Sequence, residues 1–411
     1  MRLMQTEAIF HQIERLKPEM VDALIKLIRV PAVAPENGGD GETLKSEILM
    51  KFLENIGFDS IERFDIEDSR VMSGKRPNIN AVCQSDSDAE KLWIVTHLDV
   101  VPAGEEKLWT VTNSFEPLVR DGKVYGRGSE DNGQSLVASL YAVKAIKSLG
   151  IKPMRSVALA FVSDEEQGSK FGIQQLIARG LFGKKDLIVV PDGGRPDGSF
   201  VEIAEKSLLW FRIRTIGKQA HGSLPNIGLN ANRIAMQVAL ALDQRLHSKF
   251  SLLDDFFDVP YSTFEPTKRE KNVDALNIVP GEDVSYFDCR ILPKYDLDEI
   301  LDEINKVLSE FEVKTGAKIK LELLMKQASP KPMVGSEEVV NLLRKALKEA
   351  RGLDARVGGI GGGSCAAFFR EAGIPAIVWS TVDEVMHQPN EYTIIENIVS
   401  DAKVYALMML L

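Results

Sequence analysis

The apolar residues of this chain fall into two patterns, which predict strands and helices in alternation. Short runs rich in apolar residues predict buried strands near residues 77–83, 91–96, 156–162 and 186–190. Apolar residues three or four positions apart predict helices from Pro18 to about Val30, with the proline in its first turn, near 44–56 and over 134–150. Strands that are apolar on both faces belong in a sheet covered by helices on both sides. The order therefore predicts an α/β fold with a doubly wound, mostly parallel sheet.

The pattern changes near Lys206 and changes back near residue 325. Between these points it predicts strands at 208–216, 284–291 and 318–324 and helices at about 230–247 and 297–311. This order predicts a smaller α+β domain, residues 206–324, inserted into a discontinuous larger domain, residues 1–205 and 325–411. The larger domain resumes with helices at 336–350 and near 365–372, a strand at 375–380 and a terminal helix from about 393.

Composition narrows the class of protein. The chain has 411 residues, 44% of them apolar, and a formal net charge of −10, which argues against nucleic-acid binding. The absence of a long apolar run argues against membrane insertion or export. The three cysteines, Cys83, Cys289 and Cys365, have neither disulfide nor metal-site spacing and favour a reducing cytoplasm. We therefore expect a cytoplasmic protein that acts on small molecules.

Carboxylates and imidazoles recur where apolar strands end. The residues concerned are His97 and Asp99, then Asp164, Glu165 and Glu166, then Asp192, and finally His387. Because open α/β sheets bind ligands at the carboxyl ends of their strands, the recurrence predicts one site at one edge of the sheet. Each instance alone has another explanation: a strand-end aspartate is often a turn former or a cap, and DEE suits the first turn of a helix.

The spacing of His97 and Asp99, and of Glu165 and Glu166, suggests that the two residues of each pair have different roles. Residues two apart on a strand share a face, so a metal site would use His97 as a ligand. Asp99 would then orient the imidazole directly or through the ligand set of a second metal, although a local structural His–Asp pair is the alternative. Adjacent side chains point apart, so Glu165 and Glu166 can take different roles, one toward a metal and one toward substrate or water.

Seven motifs resemble, in the same order, those of one metallopeptidase family: HLDVVPAG, DGKVYGRGSEDNGQ, SDEEQG, VPDGG, GKQAHGSLPNIGLNA, NIVPG and MHQPNE. The resemblance extends from about residue 30 to about residue 395. The family is that of acetylornithine deacetylase, succinyl-diaminopimelate desuccinylase, aminoacylase, glutamate-releasing carboxypeptidases and related dipeptidases, which are zinc enzymes. The resemblance implies a zinc-exopeptidase-like catalytic domain that binds the metals. It also implies that the inserted domain is a ferredoxin-like lid that forms a homodimer.

The resemblance also implies a role for each matching residue. His97 and Asp192 would bind one zinc ion, Glu166 and His387 a second, and Asp131 would bridge the two. Cobalt and manganese suit such nitrogen and oxygen donors as well. Glu165 would be the general base that takes a proton from a metal-bridging water and so forms the attacking hydroxide. His221, unless it is an ordinary turn histidine, would stabilise the oxyanion in the partner subunit's site.

Substrate contacts follow from the same resemblance. Asn277 and Arg290 match lid positions that meet the substrate, although Arg290 also suits an exposed strand position. Gly363 and Ser364 match a substrate-binding loop. This glycine-rich loop has no Gly-Lys-Ser/Thr sequence, so we expect no nucleotide cofactor.

The resemblance divides on the substrate. Gly133 and Gln134 after the bridging position, Ser364-Cys365-Ala366 and Asp192 resemble dipeptidase-type members. The short inserted domain resembles deacylases and carboxypeptidases instead. We therefore expect a dinuclear amide hydrolase that acts on a small N-acyl amino acid or a short peptide.

Two other classes of function stay open on the residues alone. A dinuclear phosphoesterase uses similar ligands, but its chemistry does not require a base such as Glu165 beside a carboxylate-binding Arg290. A non-catalytic metal-binding protein would not need Glu165 in addition to all five metal ligands.

Overall fold

The computed structural model describes residues 2–87, 90–330 and 336–411. Its helices are α1 Arg2–Ile28, α2 Thr43–Ile56, α3 Ser135–Ser148, α4 Ile173–Ala178, α5 Ala231–Lys249, α6 Leu297–Thr315, α7 Glu337–Arg351, α8 Ala366–Glu371 and α9 Ile395–Leu410. Its strands are β1 Ser60–Glu67, β2 Lys75–Cys83, β3 Leu92–His97, β4 Leu118–Arg120, β5 Lys123–Tyr125, β6 Val157–Val162, β7 Leu187–Gly194, β8 Phe200–Glu205, β9 Ser207–Ile216, β10 Ala220–His221, β11 Thr263–Arg269, β12 Ile278–Val279, β13 Glu282–Ile291, β14 Lys318–Gln327, β15 Arg356–Ile360, β16 Ala376–Ser380 and β17 Tyr392–Ile394.

The chain divides into two compact units. The first comprises Met1–Ile203, Pro332–Val357 and Ser364–Leu411, and the second Ala204–Lys331 and Gly358–Gly363. The predicted domain ranges also contain Met1, Asp88, Ala89 and residues 331–335, which lie outside the described residues. Of the helices described, none combines the length and the hydropathy that crossing a lipid bilayer requires.

The larger sheet has the strand order β1-β2-β6-β3-β7-β16-β8-β15. Its centre, β6-β3-β7-β16, is parallel, whereas β1 with β2, β2 with β6 and β8 with β16 pair antiparallel. Alternate residues of β3 enter different cores: Ile94 packs with the cluster that includes Leu140 of α3, and Val95 packs with the cluster that includes Phe369 of α8. The sheet is thus covered on both faces, and the predicted α/β class is confirmed.

The first helix differs from the prediction. It begins at Arg2 rather than Pro18, and the proline lies inside it. Buried Ile9, Ile13 and Met20 extend one apolar stripe across the proline position. Because that stripe packs into the core, its burial outweighs the single main-chain hydrogen bond that Pro18 cannot donate.

The second unit contains a four-stranded antiparallel sheet in the order β11-β13-β9-β14. Its core combines residues of this sheet with Leu242 of α5 and Ile304 of α6. The strands predicted at 208–216, 284–291 and 318–324 are present, but β11 was missed because its sequence, TFEPTKR, is mostly exposed and contains Pro266. Such a sequence suits an edge strand, where the proline costs no hydrogen bond within the sheet.

Candidate metal centre

Three neighbouring parallel strands bring their polar ends to the same edge of the sheet. His97 is the last residue of β3, and Glu165 and Glu166 lie in a 3₁₀ turn just after β6. Asp192 lies inside β7, which runs to Gly194 and is longer than predicted. Because β3 pairs in parallel with both β6 and β7, these side chains converge on one place.

Two further residues reach this place from irregular segments. Asp131 lies in the segment Ser129–Gln134 that leads into α3, and its φ and ψ of −113° and 94° are not helical. The side-chain amide of Asn132 donates to Asp192 Oδ1 at 2.8 Å and to the Pro191 carbonyl at 2.9 Å, which ties this segment to β7. His387 lies in the loop between β16 and β17.

The Asp131 carboxylate lies between two imidazoles. Its Oδ1 is 2.9 Å from Nε2 of His97, and its Oδ2 is 2.9 Å from Nε2 of His387. Each imidazole also has a second carboxylate: Asp192 Oδ1 is 3.4 Å from His97 Nε2, and Glu166 Oε2 is 3.2 Å from His387 Nε2. The structure therefore brings together all five residues predicted as metal ligands, in two groups that share Asp131.

The electrostatics of the cluster favour bound positive charge. Burial lowers the pKa of His97, but the negative charges of Asp192 and Asp131 outweigh it and raise that pKa well above its usual value. Hydrogen bonds to Asp131 and Glu166 raise the pKa of His387 to about 10. Burial raises the pKa of Asp131, but both imidazoles more than reverse this and hold it far below the usual range.

The other carboxylates of the cluster are also perturbed. Burial is the largest cause of the raised pKa values of Glu165 and Glu166, and the neighbouring charges of Asp192 and Asp131, respectively, add to it. Glu166 Oε1 is buried and has no hydrogen-bond partner among the described residues. A buried carboxylate oxygen without a donor costs free energy, which a cation would offset.

These residues fit divalent metal ions. Ligand atoms of His97, Asp131 and Glu166 lie within 4.8 Å of one another, and so do those of His97, Glu165 and Asp192. Imidazole nitrogens and carboxylate oxygens are ligands of zinc and of several other divalent metals. His97 Nδ1 has the main-chain carbonyl of Asp99 at 2.9 Å, so its Nε2 is the nitrogen that faces the cluster.

The Asp99 carboxylate lies near the His97 ring but makes no hydrogen bond to it. Its Oδ1 is 3.7 Å from His97 Nδ1, and β3 ends at His97, so the shared strand face that we predicted for this pair is absent. The carboxylate instead accepts the main-chain N–H groups of Glu165 and Glu166, each at 3.0 Å. Asp99 therefore contacts the imidazole directly through its main-chain carbonyl and contacts Glu165 and Glu166 through its carboxylate, and its role toward a metal stays a prediction.

Two of the remaining predicted residues lie side by side in the second unit. β10, which contains His221, pairs with β12, and the Gly222 N–H donates to the Asn277 carbonyl at 2.6 Å. His221 is exposed, and its Nδ1 lies 2.8 Å from the Ser223 hydroxyl. The structure assigns neither residue a catalytic or substrate contact.

The Arg290 guanidinium is occupied by groups of its own unit. Its Nε and Nη2 donate to the two Asp288 oxygens at 2.6 and 2.8 Å, and its Nη1 donates to the Gly361 carbonyl at 3.0 Å. This contact joins Arg290 to the glycine-rich segment Gly358–Gly363. Ser364 lies just before α8, and its hydroxyl accepts the Ala366 N–H at 3.2 Å. Substrate contacts by Arg290, Gly363 and Ser364 remain predictions.

Sequence reasoning missed several buried charged residues around the cluster. They are Glu42, Lys45, Arg76, Arg127, Glu130 and Glu391. Glu130 and Glu391 lie inside two of the quoted motifs, and Arg76 opens the apolar stretch at 77–83, so a charge placed in a segment that is otherwise buried was the available signal.

Comparison with known proteins identifies the family. The sequence profile of peptidase family M20/M25/M40 matches residues 93–411. An uncharacterized metallohydrolase of Methanocaldococcus jannaschii is 41% identical over 407 residues, which cover 94% of this chain and 98% of that protein. The chain belongs to this peptidase family. The resemblance read from its motifs is confirmed, and the protein is a metallohydrolase of the M20 type.

Two further similar proteins differ from each other in their named activities. The succinyl-diaminopimelate desuccinylase of Buchnera aphidicola subsp. Cinara cedri is 26% identical over 386 residues, covering 92% of this chain and 95% of that enzyme. The structure of the di-peptidase Dug1p from Saccharomyces cerevisiae matches with a TM-score of 0.76 at 18% identity, covering 98% of each chain. At 18% identity, the similarity to Dug1p shows only that the two proteins share a fold.

Proposed function

We propose that the protein is a dinuclear zinc-dependent hydrolase that cleaves the amide bond of a small N-acyl amino acid, of the desuccinylase or deacetylase type, or of a short peptide. One observation carries the proposal: the two oxygens of Asp131 face two different imidazoles, each at 2.9 Å. A carboxylate in that position is suited to bridge two cations. Carboxypeptidase and dipeptidase activities are alternatives within the same family.

The distances support the ligand sets that the family resemblance implies. His97, Asp131 and Asp192 would hold one ion, and His387, Asp131 and Glu166 the other. Three carboxylates against two divalent ions leave one net positive charge. A bound hydroxide would neutralise that charge, so the site favours ionisation of water. Cobalt or manganese are alternatives to zinc.

The metal ions, when bound, would polarise the substrate carbonyl and acidify water. Glu165 belongs to neither of the two ligand sets, so its carboxylate is available to accept a proton from water and donate it to the leaving nitrogen. Asp99 holds the Glu165 and Glu166 main chain, which fixes both side chains relative to His97. We assign it a positioning role.

The remaining roles rest on the family resemblance. His221 is proposed to stabilise the oxyanion from the partner subunit of a homodimer, and Asn277, Arg290, Gly363 and Ser364 are proposed to bind substrate in a cytoplasmic enzyme. Arg290 is already paired with Asp288, so a substrate carboxylate at this position would share the guanidinium or replace Asp288.

Glu165→Ala tests the assignment of the base. The substitution removes the proton carrier and no proposed ligand, so the variant is expected to keep its metal content and lose about 100-fold or more of kcat. Gln167→Ala, in the same turn, is the matched control and should retain activity. The assay uses zinc-loaded protein with N-succinyl and N-acetyl amino acids, dipeptides and a phosphate monoester.

Different results would contradict different parts of the proposal. Equal loss of metal and of activity in Glu165→Ala would show that Glu165 is a ligand. Turnover of the phosphate ester without amide turnover would replace the proposed reaction, and full metal loading without any turnover would indicate a binding protein.

A further inference from the structure

The loop that carries His387 lies outside regular secondary structure. It joins β16 to β17, and Glu384, His387 and Asn390 in it have positive φ values of 61°, 64° and 59°. The His387 side chain is 53% exposed. No helix or strand fixes this imidazole, so contacts from elsewhere in the first unit must set its distance from Asp131.

Glu391, four residues after His387, is buried and accepts four hydrogen bonds from residues 127–131, at the start of the segment that carries Asp131. Its Oε1 accepts the N–H groups of Glu130 and Asp131 at 3.0 and 3.1 Å. Its Oε2 accepts the Gly128 N–H at 3.1 Å and Arg127 Nη1 at 2.6 Å. Because this segment is not a regular helix, its N–H groups need an acceptor from outside it, and Glu391 supplies one.

Glu130 makes the opposite connection. Its two oxygens accept the N–H groups of Asp383 and Val385, at 2.5 and 2.7 Å, in the loop that leads to His387. Each segment thus provides a carboxylate that binds the main chain of the other. Arg127 adds a third contact, since its Nη2 donates to the His387 carbonyl at 3.3 Å while its Nη1 binds Glu391.

We propose that Glu130 and Glu391 are paired positioning residues that hold the carboxylate of Asp131 and the imidazole of His387 at metal-binding distance before any metal binds. The inference deepens the proposed function and rests on it. Both residues act through the main chain, so neither is a ligand or a base. We call the two residues the cross-tie.

The contacts fit a positioning role better than a general stabilising one. One of the N–H groups that Glu391 accepts belongs to Asp131 itself, and the residues that Glu130 holds lie two and four positions before His387. Glu202 and Arg370 form a comparable ion pair of 2.7 Å in the same unit, with both side chains buried, and it involves none of the proposed ligands. This pair offers a matched control.

The test measures metal affinity in Glu391→Gln and Glu130→Gln. A glutamine has one acceptor oxygen where the glutamate has two, so part of each set of donors loses its acceptor while the shape of the side chain is kept. We expect the affinity for zinc, measured by competition with a chromophoric chelator, to fall about 10–100-fold in each variant. The absorption spectrum of cobalt(II)-loaded protein should change as well.

The control and the double variant separate positioning from stability. Glu202→Gln should lower the melting temperature but leave zinc affinity and the cobalt spectrum unchanged. In the double variant Glu130→Gln/Glu391→Gln, the loss should be smaller than the product of the single losses, since both residues fix the same distance. Wild-type affinity and spectrum in both single variants, or an equal loss of affinity in Glu202→Gln, would overturn the proposal.

Hydrogen exchange gives a measurement that needs no variant. In metal-free wild-type protein the amides of Glu130, Asp131, Asp383 and Val385 should exchange slowly, because their acceptors are already in place. If these amides exchange rapidly in the metal-free protein and become protected only when zinc is added, the proposal that the residues are positioned before metal binding would be contradicted. Wild-type protein that binds two metals but cleaves no amide would refute the proposed function without contradicting the positioning role of the cross-tie. Wild-type protein that binds no metal would refute both the proposed function and the positioning role.

Discussion

At the scale of single residues, Asp99 is central to the arrangement. Its carboxylate accepts the two N–H groups of Glu165 and Glu166, and its carbonyl faces Nδ1 of His97. Burial raises the pKa of Asp99 to about 7, and the charge of His97 opposes this rise. One aspartate therefore contacts a proposed base and two proposed ligands, and we propose that it positions all three.

Asp99→Asn should lower kcat about 10–100-fold while metal stoichiometry is retained. The amide keeps one acceptor oxygen, so one of the two N–H groups faces an NH₂ group, and the turn that carries Glu165 shifts. Steady-state kinetics together with metal analysis measure both quantities.

Asp59→Asn is the control for this substitution. Asp59 accepts the main-chain N–H of Gln84 at 2.7 Å and makes no contact with the cluster. The kcat of the Asp59→Asn variant should equal that of the wild type. Unchanged kcat in Asp99→Asn as well would show that the two bonds do not position the base.

Some of the residues in the proposed metal centre could be predicted from the sequence, and others could not. Strand ends were enough to select His97, Glu166, Asp192 and His387 as candidates, because strand direction decides where such side chains meet. Asp131 was added to the proposed ligands by the family resemblance alone. Glu130 and Glu391 were not assigned a role, because their partners are main-chain N–H groups whose directions depend on the path of two irregular segments.

At the scale of elements, the start of β2 supports the turn after β6. Arg76 is fully buried and pairs with Glu42, with Nε–Oε2 and Nη2–Oε1 distances of 2.7 and 2.5 Å. Its Nη2 also lies 3.3 Å from Asp164, the residue before Glu165. Asn78 of the same strand accepts the Ser163 N–H and donates to the Phe171 carbonyl, at 3.0 and 2.9 Å.

Arg76→Met should reduce the free energy of unfolding by about 3–5 kcal/mol, because it leaves Glu42 and Asp164 buried without their cation. Denaturant unfolding of the metal-free protein measures the change. Lys152→Met, which removes the exposed pair with Asp86, is the control and should cost about 1 kcal/mol or less. A loss in Arg76→Met no larger than in this control would mean that the network does not support the fold.

The elements also show where sequence patterns fail. Most helices and central strands were found because burial imposes a clear period on their residues. The start of α1 was placed too late because Pro18 was taken as a helix start. β11 and β15 were missed because an exposed edge strand and the glycine-rich RVGGI lack a continuous apolar face.

At the scale of the whole molecule, two folded units each have a core of their own. The α/β class, the parallel centre of the sheet and the family could be predicted from the sequence, since each depends on patterns repeated along the whole chain. The substrate could not be predicted, because the residues that resemble dipeptidases and the short insertion that resembles deacylases point to different compounds.

The most direct measurement of the proposed dinuclear centre is anomalous diffraction at the zinc edge from crystals grown with zinc. We expect two peaks per chain, one within coordination distance of His97, Asp131 and Asp192 and the other within that distance of Asp131, Glu166 and His387. A single peak, or peaks that do not share Asp131, would contradict the proposed centre.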